Sequence, residues 1–231
     1  MAINPKQIAG EKAAEYVQDG MIVGLGTGST AYFAILQLSR RVAQGLRIKG
    51  IPTSEQSRKL AEQEKIPLID FDGIDHIDIT IDGADEIDPA FHLTKGGGGA
   101  LLREKIVATL TQTEIIVADE TKLVKHLGAF PLPVEVVPFG FQATMKNLAK
   151  LGCITTLRHL NNTPFVTDNG NYIIDCAFGR ILHPSELEKQ INALCGVVDC
   201  GLFIGLTHRL IIGKPNGTFE ECTQAKPLEE S

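Results

Sequence analysis

The chain has 231 residues, which at roughly 150 residues per domain predicts one large domain or one and a half. Hydrophobic residues make up 43% of it and charged residues 22%, as in ordinary globular proteins. Its formal net charge is −6 and no dense Lys/Arg run occurs, so no nucleic-acid partner is expected. No apolar run approaches the roughly 18 residues of a membrane span, so no membrane partner is expected either.

The cysteine pattern indicates a reducing compartment. The number of cysteines is odd and no C-x-x-C pair occurs, so we expect free thiols. The beginning of the sequence, MAINPKQ, has no apolar signal core, and a cytoplasmic location is expected. The five cysteines are Cys153, Cys176, Cys195, Cys200 and Cys222.

The first half alternates helical and strand patterns. Apolar spacing predicts helices over residues 8–17, 32–38, 54–64 and 99–110, the third capped by Ser54. Short apolar or alternating runs predict strands over residues 21–25, 48–52, 76–82 and 114–118. Strands that alternate with helices pair in parallel through right-handed crossovers, so we predict the α/β class with a Rossmann-like doubly wound sheet.

A boundary is predicted where three prolines fall within residues 130–138. Beyond it, helices are predicted over 141–151 and 184–194 and strands over 153–158, 165–167 and 172–176, which indicates a smaller inserted α+β domain. Residues 202–204 and 210–212 are expected to return to the first sheet, and the polar tail after Gly217 to be an appendage. We therefore predict a catalytic domain of 1–130 plus 202–231 and a small domain of 131–201.

The first Gly-rich loop, GLGTGST at residues 24–30, joins a predicted strand to a helix. Glycines let the backbone approach an anion, and the free N–H groups at a helix start face it. The dinucleotide fingerprint fits poorly because its last glycine is replaced by Ser29, and the P-loop lysine is missing. Three hydroxyls, from Thr27, Ser29 and Thr30, suit a single phosphate. A tight turn capped by Ser29 is the alternative.

Four acidic residues lie in DGADEID at residues 82–88. Asp82 ends a predicted strand, and ligands of open α/β sheets bind outside the carboxyl ends of strands. Asp82 and Asp85 are therefore placed to reach such a ligand. A Mg²⁺ or Ca²⁺ site is an alternative, although the spacing matches no metal-loop template. For Glu86 and Asp88 we expect a solvated turn.

The segment KGGGGALLREK at residues 95–105 contains four consecutive glycines. Such a run is costly to order and indicates a backbone that contacts a ligand. Lys95 offers a compact positive charge beside it. Glu104 has only apolar helix neighbours three and four residues away, which predicts a desolvated carboxyl group suited to general base catalysis. An acid favoured near a helix start by the helix dipole is the alternative.

Together these segments resemble type A ribose-5-phosphate isomerase over nearly the whole chain. The motifs that carry the resemblance are GTGST at 26–30, DGADEI at 82–87, KGGGGALLREKI at 95–106, ADETK at 118–122, FPLPVEV at 130–136, VTDNGN at 166–171 and GVV with GLF within 196–203. The resemblance implies reversible conversion of D-ribose 5-phosphate to D-ribulose 5-phosphate in the pentose phosphate pathway, without a metal or other cofactor. It also implies a homo-oligomer, commonly a dimer or a tetramer.

The resemblance implies residue roles as well. Glu104 would move a proton between C2 and C1, and Asp82, Asp85 and Lys95 would assist ring opening, proton movement between oxygens and enediolate stabilisation. The substrate-binding residues it implies are Thr27, Gly28, Ser29, Thr30, Asp82, Gly83, Ala84, Asp85, Lys95, Gly96, Gly97, Gly98 and Lys122.

The sequence departs from the family pattern at Glu55, where an aromatic residue is expected, and at residues 203–209, where the family often has a shorter stretch. Other classes share parts of the pattern. Sugar-phosphate-sensing domains of transcription regulators have a similar fold, but we expect them to carry a DNA-binding helix-turn-helix before the first strand. Amino-sugar-phosphate deaminases and CoA transferases are further alternatives of related fold.

Overall fold

The computed structural model describes residues 3–223. The helices are α1 Pro5–Ala14, α2 Ala31–Ala43, α3 Glu55–Gln63, α4 Leu101–Thr109, α5 Phe141–Ala149 and α6 Pro184–Asn192. The strands are β1 Ile22–Leu25, β2 Lys49–Pro52, β3 Ile77–Asp82, β4 Glu86–Ile87, β5 Leu93–Thr94, β6 Thr111–Asp119, β7 Leu132–Val136, β8 Ile154–Leu157, β9 His159–Leu160, β10 Thr163–Pro164, β11 Tyr172–Ala177, β12 Val197–Cys200, β13 Leu202–Phe203, β14 Arg209–Gly213 and β15 Phe219–Thr223.

The chain forms two compact units. The first contains the described residues of Met1–Ala84, Arg103–Leu123 and Leu206–Ser231, and the second contains Asp85–Leu102 and Val124–Gly205. Residues 85–102 thus group with the second unit, whereas the sequence placed them in the larger domain. The division into a 131–201 domain and a remainder stays a prediction.

The first unit is built on a six-stranded sheet in the order β15-β14-β6-β3-β1-β2. All its pairs are parallel except β14 with β15. In β3, Ile77, Ile79 and Ile81 are buried as the alternation predicts, but Thr80 and Asp82 are buried too. A strand buried on both faces is typical of a parallel sheet in an α/β protein. The predicted α/β class and parallel sheet are confirmed.

Side chains cap the starts of two helices in the first unit. The sequence predicts the Ser54 cap of α3, but α1 begins at Pro5, three residues before the predicted range. Asn4 caps α1 by accepting a hydrogen bond from the N–H of Lys6, and Pro5 occupies the first helical position. Ser54 caps α3 in a capping box with Ser57. Helix α1 lies close to α2, since a Cβ on Gly10 would be 2.8 Å from the Thr30 carbonyl oxygen.

The second unit is built on a four-stranded sheet in the order β12-β7-β11-β8, in which all pairs are antiparallel. A three-stranded sheet in the order β13-β5-β4 and the pair β9-β10 accompany it. Helices α5 and α6 contribute Leu148 and Ile191 to an apolar core with Val134 and Ile174. The strands are short and antiparallel, as the sequence predicts for this region.

Three predictions for the second half are wrong. Residues 202–204 do not return to the first sheet, because β13 pairs with β5 in the second unit. Residues 165–167 form a single bridge, Val166 to Tyr172, in place of a strand. The segment after Gly217 is not only an appendage, since β15 adds an antiparallel edge strand to the first sheet. The rest of that tail, residues 224–231, lies outside the described residues.

All five cysteines are free thiols, as predicted. Among residues 3–223, no helix is both long and apolar enough to cross a membrane.

Candidate active site

The loop after β1 is shaped by glycines. Gly28 has a φ of 105°, a conformation that residues with a side chain rarely adopt. A Cβ on Gly26 would lie 2.4 Å from the Asp82 Oδ1 atom, so only glycine permits this approach. Helix α2 begins directly after the loop, with Thr30 as its N-cap and without a side-chain capping bond. The alternative of a turn capped by Ser29 is therefore wrong, because the N-cap is Thr30 and it makes no side-chain capping bond.

Asp82 holds this loop in place. Its Oδ1 atom accepts hydrogen bonds from the N–H of Thr27 at 3.0 Å and from the N–H of Gly83 at 2.7 Å. The Asp82 side chain is buried, at 1% exposure. A buried carboxylate that accepts backbone N–H groups fixes the direction of the peptides that donate to it. The end of β3 thus determines the shape of the loop after β1.

Three predicted site segments follow the carboxyl ends of adjacent parallel strands. Strands β1, β3 and β6 are neighbours in the sheet, and their ends lead into the 26–30 loop, Asp82 and a short 3-10 helix that ends at Lys122. The carboxyl ends of parallel strands share one edge of the sheet, which is where ligands of open α/β sheets bind. The first unit therefore brings Lys122 to the same edge as the loop and Asp82.

The hydroxyl groups of the loop have different surroundings. The Thr27 hydroxyl is buried and contacts the hydroxyls of Thr53 at 2.7 Å and Ser54 at 2.8 Å. Thr27 therefore stabilises the loop from inside, where the sequence suggested a hydroxyl donor to the ligand. Ser29 is exposed and its hydroxyl is 2.9 Å from the Lys6 Nζ atom.

Sequence reasoning missed Lys6. It lies on α1, far from the glycine motifs in the chain, yet its ammonium group donates a hydrogen bond to Ser29 Oγ. The local sequence, NPKQ, gives no sign of this role beyond a positive charge near a helix start. Only the packing of α1 against α2 brings this charge to the loop.

The second glycine loop lies in the second unit and begins at Lys95. The Lys95 N–H donates to the Gly201 carbonyl at 2.8 Å, and its Nζ atom lies 5.4 Å from the centroid of the Phe203 ring. The side chain is 3% exposed. A lysine that is buried against an aromatic face keeps its ammonium group in a defined place through a cation–π contact.

Asp85 anchors this loop. Its Oδ2 atom accepts the Gly97 N–H at 2.7 Å, and a Cβ on Gly97 would lie 2.6 Å from its Oδ1 atom. Gly96 and Gly99 have positive φ angles of 99° and 79°, while Gly97 and Gly98 are exposed. The four glycines thus give a loop whose backbone is accessible and whose conformation needs glycine.

Glu104 lies in the first turn of α4, which begins two residues after Gly99. It is 5% exposed, and the predicted apolar neighbours are buried: Ala100, Leu101, Val107 and Ala108. Burial of a carboxylate in apolar surroundings is costly and is retained where the group has a function or a specific partner. The predicted placement of Glu104 on an apolar helical stripe is confirmed.

The departure at Glu55 connects α3 to α4. Glu55 Oε1 accepts from Arg103 Nη1 at 3.0 Å, and Oε2 accepts from Arg58. The Arg58 guanidinium group, and to a smaller extent that of Arg103, holds the pKa of the Glu55 carboxyl group below its usual range. The ion pair thus links the start of α3 to the first turn of α4, which also carries Glu104.

The remaining acids of the 82–88 segment behave differently from expectation. Glu86 is buried, not solvated, and its carboxylate accepts the N–H groups of Gly128 at 2.8 Å and Phe130 at 2.7 Å. Asp88 is half-buried and contacts His92 Nδ1 at 3.1 Å. Gly83 and Ala84 are half-buried between Asp82 and Asp85. In the described part of the chain, no group of three or more His, Cys, Asp and Glu residues is arranged to hold a metal ion.

Comparison with known proteins gives a consistent result. A family model, ribose 5-phosphate isomerase A (phosphoriboisomerase A), matches residues 49–217. The ribose-5-phosphate isomerase A of Bacillus mycoides is 53% identical over 219 residues, covering 94% of this chain and 99% of the relative. That of Gloeobacter violaceus is 51% identical over 214 residues, covering 92% and 93%.

Solved structures agree in fold. The ribose 5-phosphate isomerase from Plasmodium falciparum has a TM-score of 0.92 and 39% identity, with 94% of this chain and 97% of that chain covered. A D-ribose-5-phosphate isomerase in complex with phospho-erythronic acid has a TM-score of 0.92 and 38% identity, with 96% and 100% covered. The chain therefore belongs to the ribose 5-phosphate isomerase A family and is an aldose–ketose isomerase that interconverts D-ribose 5-phosphate and D-ribulose 5-phosphate.

Proposed function

We propose that this isomerase works through an enediolate, with Glu104 as the general base. The observation that carries this proposal is the burial of the Glu104 carboxyl group, at 5% exposure, in the first turn of a helix that begins directly after the glycine loop. A carboxyl group that a helix holds in one place can remove a proton from C2 and supply a proton to the neighbouring carbon C1. Asp82 is buried more deeply, but its Oδ1 atom already accepts the N–H groups of Thr27 and Gly83, so we assign the base to Glu104.

In the forward direction, Glu104 removes the proton from C2 of the open-chain aldose. The C2–H electron pair becomes the C1=C2 double bond, and the electrons of the C1 carbonyl move to O1. The O2 proton then passes to O1 while Glu104 returns its proton to C1, which gives the ketose. The same carboxyl group serves both carbons, so no atom is gained or lost.

Three further residues serve this sequence of steps. We assign Lys95 to the oxyanion that develops at the enediolate, together with the N–H groups of Gly96 and Gly98, because preorganised donors stabilise developing charge. The Gly97 N–H donates to Asp85 and orders the same loop. We assign Asp82 and Asp85 to ring opening and to the proton that moves between the oxygens. Each of these aspartates already orders a backbone loop by accepting its N–H groups.

The phosphate is assigned to the loop after β1. Gly28, Ser29 and Thr30 precede or begin α2, whose first N–H groups and dipole favour an anion. Lys6 adds a positive charge at Ser29, and Thr27 holds the loop from inside. We assign Gly83, Ala84 and Lys122 to contacts with the sugar chain. The relative that binds phospho-erythronic acid supports an anionic phosphorylated ligand.

Turnover after metal removal tests the absence of a cofactor. Protein dialysed exhaustively against a chelator is expected to interconvert ribose 5-phosphate and ribulose 5-phosphate at the rate of untreated protein. The conversion is followed by NMR of both sugars. Turnover that returns only on addition of a divalent cation would contradict the cofactor-free mechanism.

Replacement of Lys6 is expected to weaken substrate binding selectively. Lys6→Met removes a positive charge from the loop that we assign to the phosphate, so we expect KM to rise by about tenfold while kcat changes by less than about threefold. The matched control is Lys12→Met on the same helix, because Lys12 pairs with Glu15. If the Lys6→Met enzyme has the KM of the wild type, Lys6 is not part of the phosphate site.

We further propose that the protein is a cytoplasmic homo-oligomer, a homodimer or a tetramer. Free cysteines support a reducing compartment. Large apolar side chains of the second unit are exposed, among them Phe139 at 93% and Ile154 at 75%, which supports an interface with another copy. Light scattering after gel filtration should give twice or four times the chain mass, and a monomer mass would contradict the proposal.

A further inference from the structure

Arg158 contacts the glycine loop from within the second unit. It follows β8, and its Nη1 atom donates hydrogen bonds to the Gly96 carbonyl at 2.8 Å and to the Gly97 carbonyl at 3.2 Å. No sequence motif singled it out, and the mechanism above does not use it. Its side chain is 15% exposed; the bond to Gly96 is half-buried, and the bond to Gly97 is exposed to solvent.

Asp175 fixes the direction of the Arg158 side chain. Arg158 Nε donates to Asp175 Oδ2 at 3.0 Å and Nη2 donates to Oδ1, which is the two-pronged arrangement of a strong arginine–carboxylate pair. Asp175 lies in β11 and pairs with Pro133 of β7 and Thr156 of β8. The guanidinium group is therefore attached to the centre of the four-stranded sheet.

Phe165 supports the same loop from a second position. Its ring lies 5.9 Å from the Arg158 Cζ atom, and a Cβ on Gly99 would lie 2.4 Å from ring carbons. The segment that carries Phe165 is held by the buried Glu135, whose Oε1 atom accepts from Thr167 Oγ1 at 2.9 Å and from Asn171 Nδ2 at 2.9 Å. The Phe165 ring thus lies directly against the loop at Gly99.

One peptide group of the loop is bonded at both ends. The Gly96 carbonyl accepts from Arg158, and the N–H of the same peptide, on Gly97, donates to Asp85 Oδ2 at 2.7 Å. In a trans peptide, the carbonyl and the N–H point in opposite directions, so fixing one fixes the other. A cation at the carbonyl also polarises the peptide and strengthens its N–H as a donor.

We propose that Arg158 is a positioning residue, which orients Asp85 through the Gly96–Gly97 peptide. The inference rests on the proposed roles of Asp85 and of this loop. It gives Arg158 no contact with the substrate. Its loss should therefore lower turnover by misplacing groups that act directly.

A double-mutant cycle between Arg158 and Asp85 tests this. In the wild-type background, Arg158→Met should lower kcat by about tenfold, because small misplacements of catalytic groups are costly. In an Asp85→Asn background, the same substitution should lower kcat by less than about twofold, because its effect passes through Asp85. A tenfold loss in both backgrounds, or in neither, overturns the inference.

Further measurements separate positioning from loss of structure. Free guanidinium ion should restore part of the activity of Arg158→Ala, sodium ion at equal concentration should not, and absence of rescue counts against the inference. Arg180→Met is the control, since Arg180 is an exposed arginine of the second unit that contacts His126. If the Arg158 variants unfold, Asp175→Asn replaces them in the cycle. An Asp85→Asn enzyme with full activity would instead overturn the proposed role of Asp85.

Discussion

Glu104→Gln is expected to lower kcat by about 10³-fold, within the range that general base catalysis supplies. The amide has the size of the carboxyl group but accepts no proton from C2. Since the substitution leaves the phosphate loop untouched, KM should change by less than about threefold. Steady-state assays in both directions measure the two quantities, and both directions should lose the same factor because one group serves both carbons.

The matched control is Glu186→Gln. Glu186 is also an acid in the first turn of a helix, α6, but lies outside the candidate site. Its variant should retain the wild-type kcat. A Glu104→Gln enzyme with more than about one tenth of the wild-type kcat would show that another group takes the proton.

Lys95→Met is expected to lower kcat by about 10²- to 10³-fold, the loss typical of a removed oxyanion donor. Methionine has a similar length and suits the apolar surface of the Phe203 ring, so the variant should fold. Because the charge on O1 develops in the transition state, kcat should fall more than substrate binding weakens. Rate measurements together with the thermal unfolding midpoint check both expectations.

Lys125→Met, which replaces an exposed lysine of the second unit, is the control for the loss of a positive charge. It should leave kcat within about twofold of the wild type. If Lys95→Met has the same small effect, Lys95 does not stabilise the enediolate.

Much of the candidate site follows from the sequence because its signals are local. The period of β3 places Asp82 at a strand end, and the helical spacing around Glu104 places its carboxyl group on a buried stripe. The glycine runs indicate segments whose backbone must approach another group. These patterns depend on residues within a few positions of each other, so they survive without knowledge of the tertiary structure.

Contacts between distant segments could not be predicted in this way. Lys6 reaches Ser29 only because α1 packs on α2, and Arg158 reaches Gly96 across 62 positions of the chain. Glu86 lies in an acidic segment for which a solvated turn is expected. Its carboxylate instead accepts hydrogen bonds from N–H groups more than 40 positions away in the sequence. The tertiary fold brings such partners together. No local pattern in the sequence indicates them.

Short strands were the other source of error. β13 has two residues, too few for hydrophobic periodicity to indicate which sheet it joins. β15 contains two acidic residues, so its sequence lacks the apolar pattern of a strand. It nevertheless pairs with β14 at the sheet edge. An edge strand can be polar because one side of its backbone faces solvent.

Hydrogen exchange at C2 tests the role of Glu104 most directly. The enzyme is incubated with ribose 5-phosphate in D₂O, and the C2 hydrogen is followed by NMR. The wild type should replace it with deuterium during turnover, and Glu104→Gln should leave it in place while still binding the sugar phosphate. Exchange by Glu104→Gln at a rate near that of the wild type would contradict the assignment of Glu104 as the base.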